Sequence, residues 1–174
     1  MRSLWLISVS GSFLPNTVMQ HPERHPDAGH WLLQRTVLPQ HTDHAGVMWH
    51  GAYLAWLEEA RVEALAAAGL AYADLSRRGL ELPVVSLAID YRQALHHGDR
   101  VRLLSRVLPR QGLKLPWQSR FLRPDGSLAA EARVELVLVQ FDGGPARRRL
   151  LRRLPPELEL AVSSLVAGPE GAPL

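Results

Sequence analysis

At 174 residues the chain is long enough for one domain with tails, and its 47% hydrophobic and 21% charged content excludes wholesale disorder and fibrous repeats. The absence of cysteine removes disulfides, thiolate metal sites and a cysteine nucleophile. Net charge is only +3, from 20 Lys and Arg against 17 Asp and Glu, and Lys114 is the sole lysine.

The positive excess is local. Arg147, Arg148, Arg149, Arg152 and Arg153 crowd into one stretch that reads as a solvated basic turn. No basic stripe interleaves with base-stacking aromatics, so nucleic acid is not an expected partner. No apolar run approaches the roughly 18–20 residues of a membrane helix. A thiol-free chain without a span fits the cytoplasm.

Residues 1–29 read as a disordered leader. Leu4 to Val9 imitate a short signal-peptide core, but no small-x-small cleavage site follows, and residues 10–29 are polar and aperiodic. Met19 is an alternative start. A folded domain is expected over 30–145, opening with a strand at 31–38 that stops at Pro39. A polar loop over 40–46 leads to a helix over 51–68. There Tyr53, Leu57, Ala60, Ala64 and Ala67 recur at helical spacing and Gly69 supplies the stop. The alanine-rich face allows close approach to a partner layer. A short helix is expected over 72–78.

Beyond Gly79 the period changes to two. Val85, Leu87, Ile89 and Tyr91 alternate with polar residues, as do Val101, Leu103, Ser105 and Val107, then Leu113, Leu115, Trp117 and Phe121. Pro124-Asp125-Gly126 is a turn, followed by a strand over 127–141 whose 134–139 segment looks central. Short connections predict that these four strands pair as a meander, and Pro116 predicts an edge or bulge. One helix on a five-stranded antiparallel sheet is an α+β solution. Residues 146–174 form a basic C-terminal extension, with a short helix from Pro155-Pro156 to about Val166 and a loose tail from Gly168.

Residues 41–61 concentrate the unusual side chains: His41, Asp43, His44, Trp49, His50, Tyr53, Glu58, Glu59 and Arg61. Three readings compete. His41, His44 and His50 with Asp43 supply metal-type ligands, but without the i, i+4 helical spacing or an evident fourth ligand. Alternatively the histidines are loop residues, Asp43 caps a helix, and Glu58 pairs with Arg61 on the helix surface. The third reading is catalytic. A carboxylate before a glycine turn and a helix N-terminus offers a base or nucleophile beside amides that hold a developing oxyanion.

The run from His41 to Leu54, followed by Glu58-Glu59-Ala60-Arg61, resembles the signature of the hot-dog-fold acyl-CoA thioesterases. It is closest to the 4-hydroxybenzoyl-CoA thioesterase-like group that includes the Tol-Pal-associated thioesterases. Two positions depart from that pattern: His41 replaces its first carboxylate and Trp49 replaces a tyrosine. The resemblance implies one long central helix wrapped by a five-stranded antiparallel sheet, assembled as a homodimer or homotetramer with sites near the dimer interface. It implies acyl-CoA hydrolysis to a carboxylic acid and free CoA. Asp43 would be general base or nucleophile, the amide at His50 would polarise the carbonyl, and no metal or redox cofactor would be needed. Gly46, Val47, Trp49 and Tyr53 would contact substrate, and Arg110 and Lys114 are candidates for the CoA phosphates. Aromatic and short or medium aliphatic acyl groups both remain open. A hot-dog hydratase or dehydratase, or a non-catalytic acyl-CoA-binding protein, are the alternatives.

Overall fold

The computed structural model describes residues 29–141 and 148–169. The leader before Gly29, Arg147 and the last five residues of the tail lie outside the described residues. The elements run β1 (Trp31–Thr36), a 3-10 turn (Pro39–His41), α1 (His50–Ala67), α2 (Tyr72–Arg77), β2 (Leu80–Glu81), β3 (Val84–Tyr91) and β4 (Arg100–Val107). Then follow β5 (Lys114–Leu122), β6 (Leu128–Val137), β7 (Val139–Phe141), β8 (Arg148–Leu150) and α3 (Pro156–Ala167).

The main sheet is antiparallel and five-stranded, in the order β1-β4-β5-β6-β3; a small second sheet has the order β2-β7-β8. The meander holds for β4, β5 and β6 but not for β3, which pairs with β6 (Ile89 opposite Ala132) rather than with β4. The reason is reach. From β3 to β4 is three strand spacings, about 14 Å, and the intervening loop of eight residues spans that easily. Leu95 in this crossing loop is fully buried and anchors it.

Two further expectations are corrected. The central strand is β5, not the 134–139 segment, and the strand expected over 127–141 breaks at Leu138 into β6 and β7. Pro116 therefore lies in the middle strand. It is tolerated because its carbonyl accepts from the Leu108 amide at 2.9 Å, one residue beyond the end of β4. The absent N–H faces the same place, so it costs only one bond at the fraying end of the β4–β5 ladder.

Helix α1 lies on this sheet through Ala52, Tyr53, Trp56, Leu57, Ala60, Ala64 and Leu65, all buried, while Ala67 is exposed. The small side chains bring the backbone close, and the large ones interlock with the sheet. Tyr53 meets Phe121 of β5 edge-on at 4.9 Å between ring centroids and Tyr91 of β3 at 5.1 Å. Arg61 does not stay on the surface beside Glu58. It is 93% buried by its 7% exposure, and neither Nε nor Nη1 has a hydrogen-bond partner among the described residues. Burial pulls its pKa down, opposed by the field of Tyr72 and Glu58. The surface ion pair forms one residue along, where Arg35 of β1 clasps Glu59 and bonds Glu63 at 2.9 Å.

Helix α3 closes the far end. Leu158 and Leu165 are buried, and Trp31 donates its indole N–H to the Leu165 carbonyl at 3.0 Å. Gly168, expected to begin the loose tail, lies against Gly29, where an added Cβ would come within 2.6 Å of the Gly29 carbonyl oxygen. Among the described residues no helix is long and apolar enough to cross a membrane.

Two outcomes test this packing. Ala64→Leu forces extra volume between α1 and the sheet and should cost about 1–3 kcal/mol by urea denaturation; an unchanged midpoint would contradict the close approach. Burial pushes the Tyr53 hydroxyl up to about 12, with Tyr91 adding to the shift, from about 10 in the unfolded chain. The folded state then holds that proton more tightly, so the stabilisation is intact below about pH 10 and is lost as pH rises towards 12. Tyr53→Phe should flatten the alkaline fall in melting temperature, and an equally steep fall in the variant would refute it.

Candidate active site

The loop between the 3-10 turn and α1 folds on its own carboxylate. Asp43 Oδ1 accepts from the amides of Ala45 at 2.9 Å and Val47 at 3.1 Å. The Asp43 amide donates to the Val47 carbonyl at 2.8 Å, and Gly46 donates back to the Asp43 carbonyl at 3.0 Å. Gly46 sits at φ +76, a left-handed conformation that closes the turn and that a Cβ would strain. Asp43 Oδ2 makes no hydrogen bond among the described residues. One oxygen builds the loop and the other is available.

The loop is held from both sides. Met48 donates to the Leu95 carbonyl at 2.8 Å, and Trp49 donates to the His41 carbonyl at 3.0 Å. The second of these bonds carries the chain directly into α1, which begins at His50 with no side-chain cap and no acidic residue in its first turn. The leading amides of a helix lack intrahelical acceptors, and the helix dipole makes that end positive. The end is therefore an unneutralised donor site beside a carboxylate.

Asp43, His50, Val47, Trp49 and Tyr53 line one open groove of about 960 Å³, together with Thr42, His44, Met48 and the β3 end from Tyr91 to Ala94. Five of the expected site residues are thus brought together. Gly46 shapes the groove through its backbone without lining it. Arg110 and Lys114 are not brought there: Arg110 lines an apolar crevice beneath α3, and Lys114 Nζ is paired with Glu135 at 2.6 Å. Glu58 and Glu59 do not line the groove either. His41 accepts the Leu38 amide through Nδ1 at 3.1 Å and rests its ring edge-on against Trp56, so it serves the loop.

The period-two pattern puts Tyr91, like Trp117, on the apolar, core-facing side of its strand. Trp117 is 1% exposed, but Tyr91 is 52% exposed and walls the groove. Its alternation on β3 marks the helix-side face correctly. What periodicity does not reveal is that β3 is the edge strand, which the helix fails to cover. Trp49, 45% exposed, lines the same groove from the start of α1. Its ring folds back over Gly51, where an added Cβ would approach the indole to 2.1 Å, and it contacts the His50 ring edge-on at 5.3 Å.

A family model described as the thioesterase-like superfamily matches residues 37–162. "Putative esterase sll0410" of Synechocystis sp. is 40% identical over 124 residues, which is 71% of this chain and 72% of the relative. The 1,4-dihydroxy-2-naphthoyl-CoA hydrolase of Synechococcus sp. is 38% identical over 88 residues, 45% of this chain and 58% of that protein. The crystal structure of a DHNA-CoA thioesterase from Staphylococcus aureus superposes with a TM-score of 0.68 at 25% identity, covering 77% of this chain and 89% of the other. A helix on a five-stranded antiparallel sheet, a carboxylate loop at the helix start and these matches agree: the chain belongs to the thioesterase-like superfamily and has the hot-dog fold.

Proposed function

We propose that the protein hydrolyses acyl-CoA thioesters through Asp43. The carrying observation is that the free Oδ2 of Asp43 and the uncapped start of α1 line the same groove. The thioester carbonyl oxygen sits against the first amides of α1, at His50, where charge develops as the carbonyl is attacked. Asp43 takes a proton from water, the hydroxide adds to the carbonyl carbon, and the carbon–sulfur bond breaks. The thiolate leaves and collects the proton. In the nucleophilic variant Oδ2 attacks first and water resolves the anhydride. The chemistry needs no metal or redox group.

An aromatic acyl group suits the groove best. Trp49 and Tyr91 contribute exposed rings to its lining, Val47 and Met48 add apolar lining, and two of the relatives carry 1,4-dihydroxy-2-naphthoyl-CoA or DHNA-CoA in their names. These names favour that kinship over the hydroxybenzoyl and Tol-Pal groups.

The working unit is a homodimer or a tetramer built from it. The outer edge of β3 is unpaired, and Val84, Val85, Leu87 and Tyr91 along it are 40–52% exposed. Proteins normally cover such an edge. A second copy pairing there would close the side of the groove that Tyr91 borders. Light scattering at micromolar concentration should give at least twice the chain mass, and a sharp monomer mass would defeat the assembly.

Thiol release across aromatic and aliphatic acyl-CoAs tests the activity; no release from any of them would overturn it. Asp43→Asn keeps Oδ1 as the loop's acceptor, so the fold should persist while kcat falls about 10²–10⁴-fold with little change in KM. Activity within a few-fold of the parent would remove Asp43 from the chemistry. Gly51→Ala displaces the Trp49 ring, the far end of an exposed side chain, so the melting temperature should hardly move. The preference for aromatic over aliphatic acyl-CoA should drop, and an unaltered preference would show that Trp49 is not a pocket wall.

A further inference from the structure

The face of the main sheet turned away from α1 carries a second groove, of about 710 Å³. It is lined by the guanidinium-bearing Arg92, Arg106, Arg120 and Arg133, against only two carboxylates, Asp90 and Glu131. Arg92 bonds Glu131 at 2.7 Å, and Arg106 bonds Gln118 at 2.8 Å. Arg120 and Arg133, both exposed, make no hydrogen bond or close ion pair among the described residues; their fields only help Arg92 hold the Glu131 carboxyl below its ordinary value. They stand on neighbouring strands in diagonal register, since Arg120 faces Glu131 and Arg133 faces Gln118. Diagonal neighbours on one face lie about 7–8 Å apart, a spacing from which two long arginine side chains converge on one anion.

This groove adjoins the active-site groove, because Arg92 lines both. The thioester end of a substrate in the first groove thus lies around the end of β3 from two exposed cations whose guanidinium groups make no hydrogen bond among the described residues. We propose that the Arg120–Arg133 pair is the subsite for the phosphates of the substrate's nucleotide end, with Arg92 at the passage between the grooves. The inference rests on the thioesterase reading above and replaces Arg110 and Lys114 in the role expected from the sequence. A nucleic-acid strand fits less well. Apart from His30 no aromatic ring lines the groove to stack a base, and Asp90 and Glu131 interrupt the positive surface.

The test compares one acyl group presented on CoA and on pantetheine, which lacks the nucleotide. For Arg120→Ala/Arg133→Ala, KM for the acyl-CoA should rise about tenfold or more with kcat held, and the pantetheine thioester should be cleaved as before. The double lysine variant, which keeps both charges, should recover most of the affinity. An unchanged KM for acyl-CoA, or an equal loss on the pantetheine thioester, would overturn the subsite while leaving the hydrolase reading intact. Calorimetric titration with adenosine 3′,5′-bisphosphate decides the subsite without any turnover. The unaltered protein should bind it about tenfold more tightly than the double alanine variant, and equal binding would refute the assignment even if neither thioester were cleaved.

Discussion

One geometric limit organises the molecule: a single helix is too narrow for the sheet it covers. An α-helix with its side chains is about 10–12 Å across, whereas five strands spaced about 4.8 Å apart extend about 19 Å between the outermost axes. Helix α1 packs against β1 and reaches β5 through Tyr53 on Phe121, and α3 packs against β4 and against Trp31 of β1. Among the described residues β3 is left largely uncovered. Its apolar side chains stay in solvent, its hydrogen-bonding edge stays open, and the space beside α1 there becomes the groove that holds Asp43 and His50.

The same limit explains how charge is distributed. The groove keeps few formal charges: the Asp43 carboxylate, the positive helix end and Arg92 at its border. With so little counter-charge nearby, the helix-end field is not spent on a resident partner. Cations are instead placed on the opposite face of the sheet, where side chains alternate outward by the strand period. One strand end thus separates the groove that holds Asp43 from a polar, basic one.

Much of this was legible in the sequence. The alternating patterns placed the strand faces, the spacing of Tyr53, Leu57, Ala60 and Ala64 placed the long helix within a residue of its ends, and the loop with Asp43 and Gly46 stood out by composition. Pairing order was not legible. A loop of eight residues permits either a neighbour or a crossing, and only the packed sheet selects the crossing. Pro116 misled for a related reason: what it tolerates depends on where β4 ends, a fact about another strand. Tyr91 and Arg61 were misjudged because exposure is decided by coverage in three dimensions, not by residue type. Arg110 and Lys114 were chosen for charge near a turn, and whether such a residue lines the groove of this chain has no signature in its local sequence.

The contact between Trp49 and Gly51 has a consequence for the history of the sequence. The indole occupies the volume that any side chain at 51 would need, so the two positions form one mutational unit. A lineage holding a large ring at 49 gains a side chain at 51 only by swinging that ring away from the helix start. A lineage that first gains a side chain at 51 closes the route to a ring folded over the helix start. Substitutions at 49 and 51 are therefore coupled rather than independent, whichever of the two comes first.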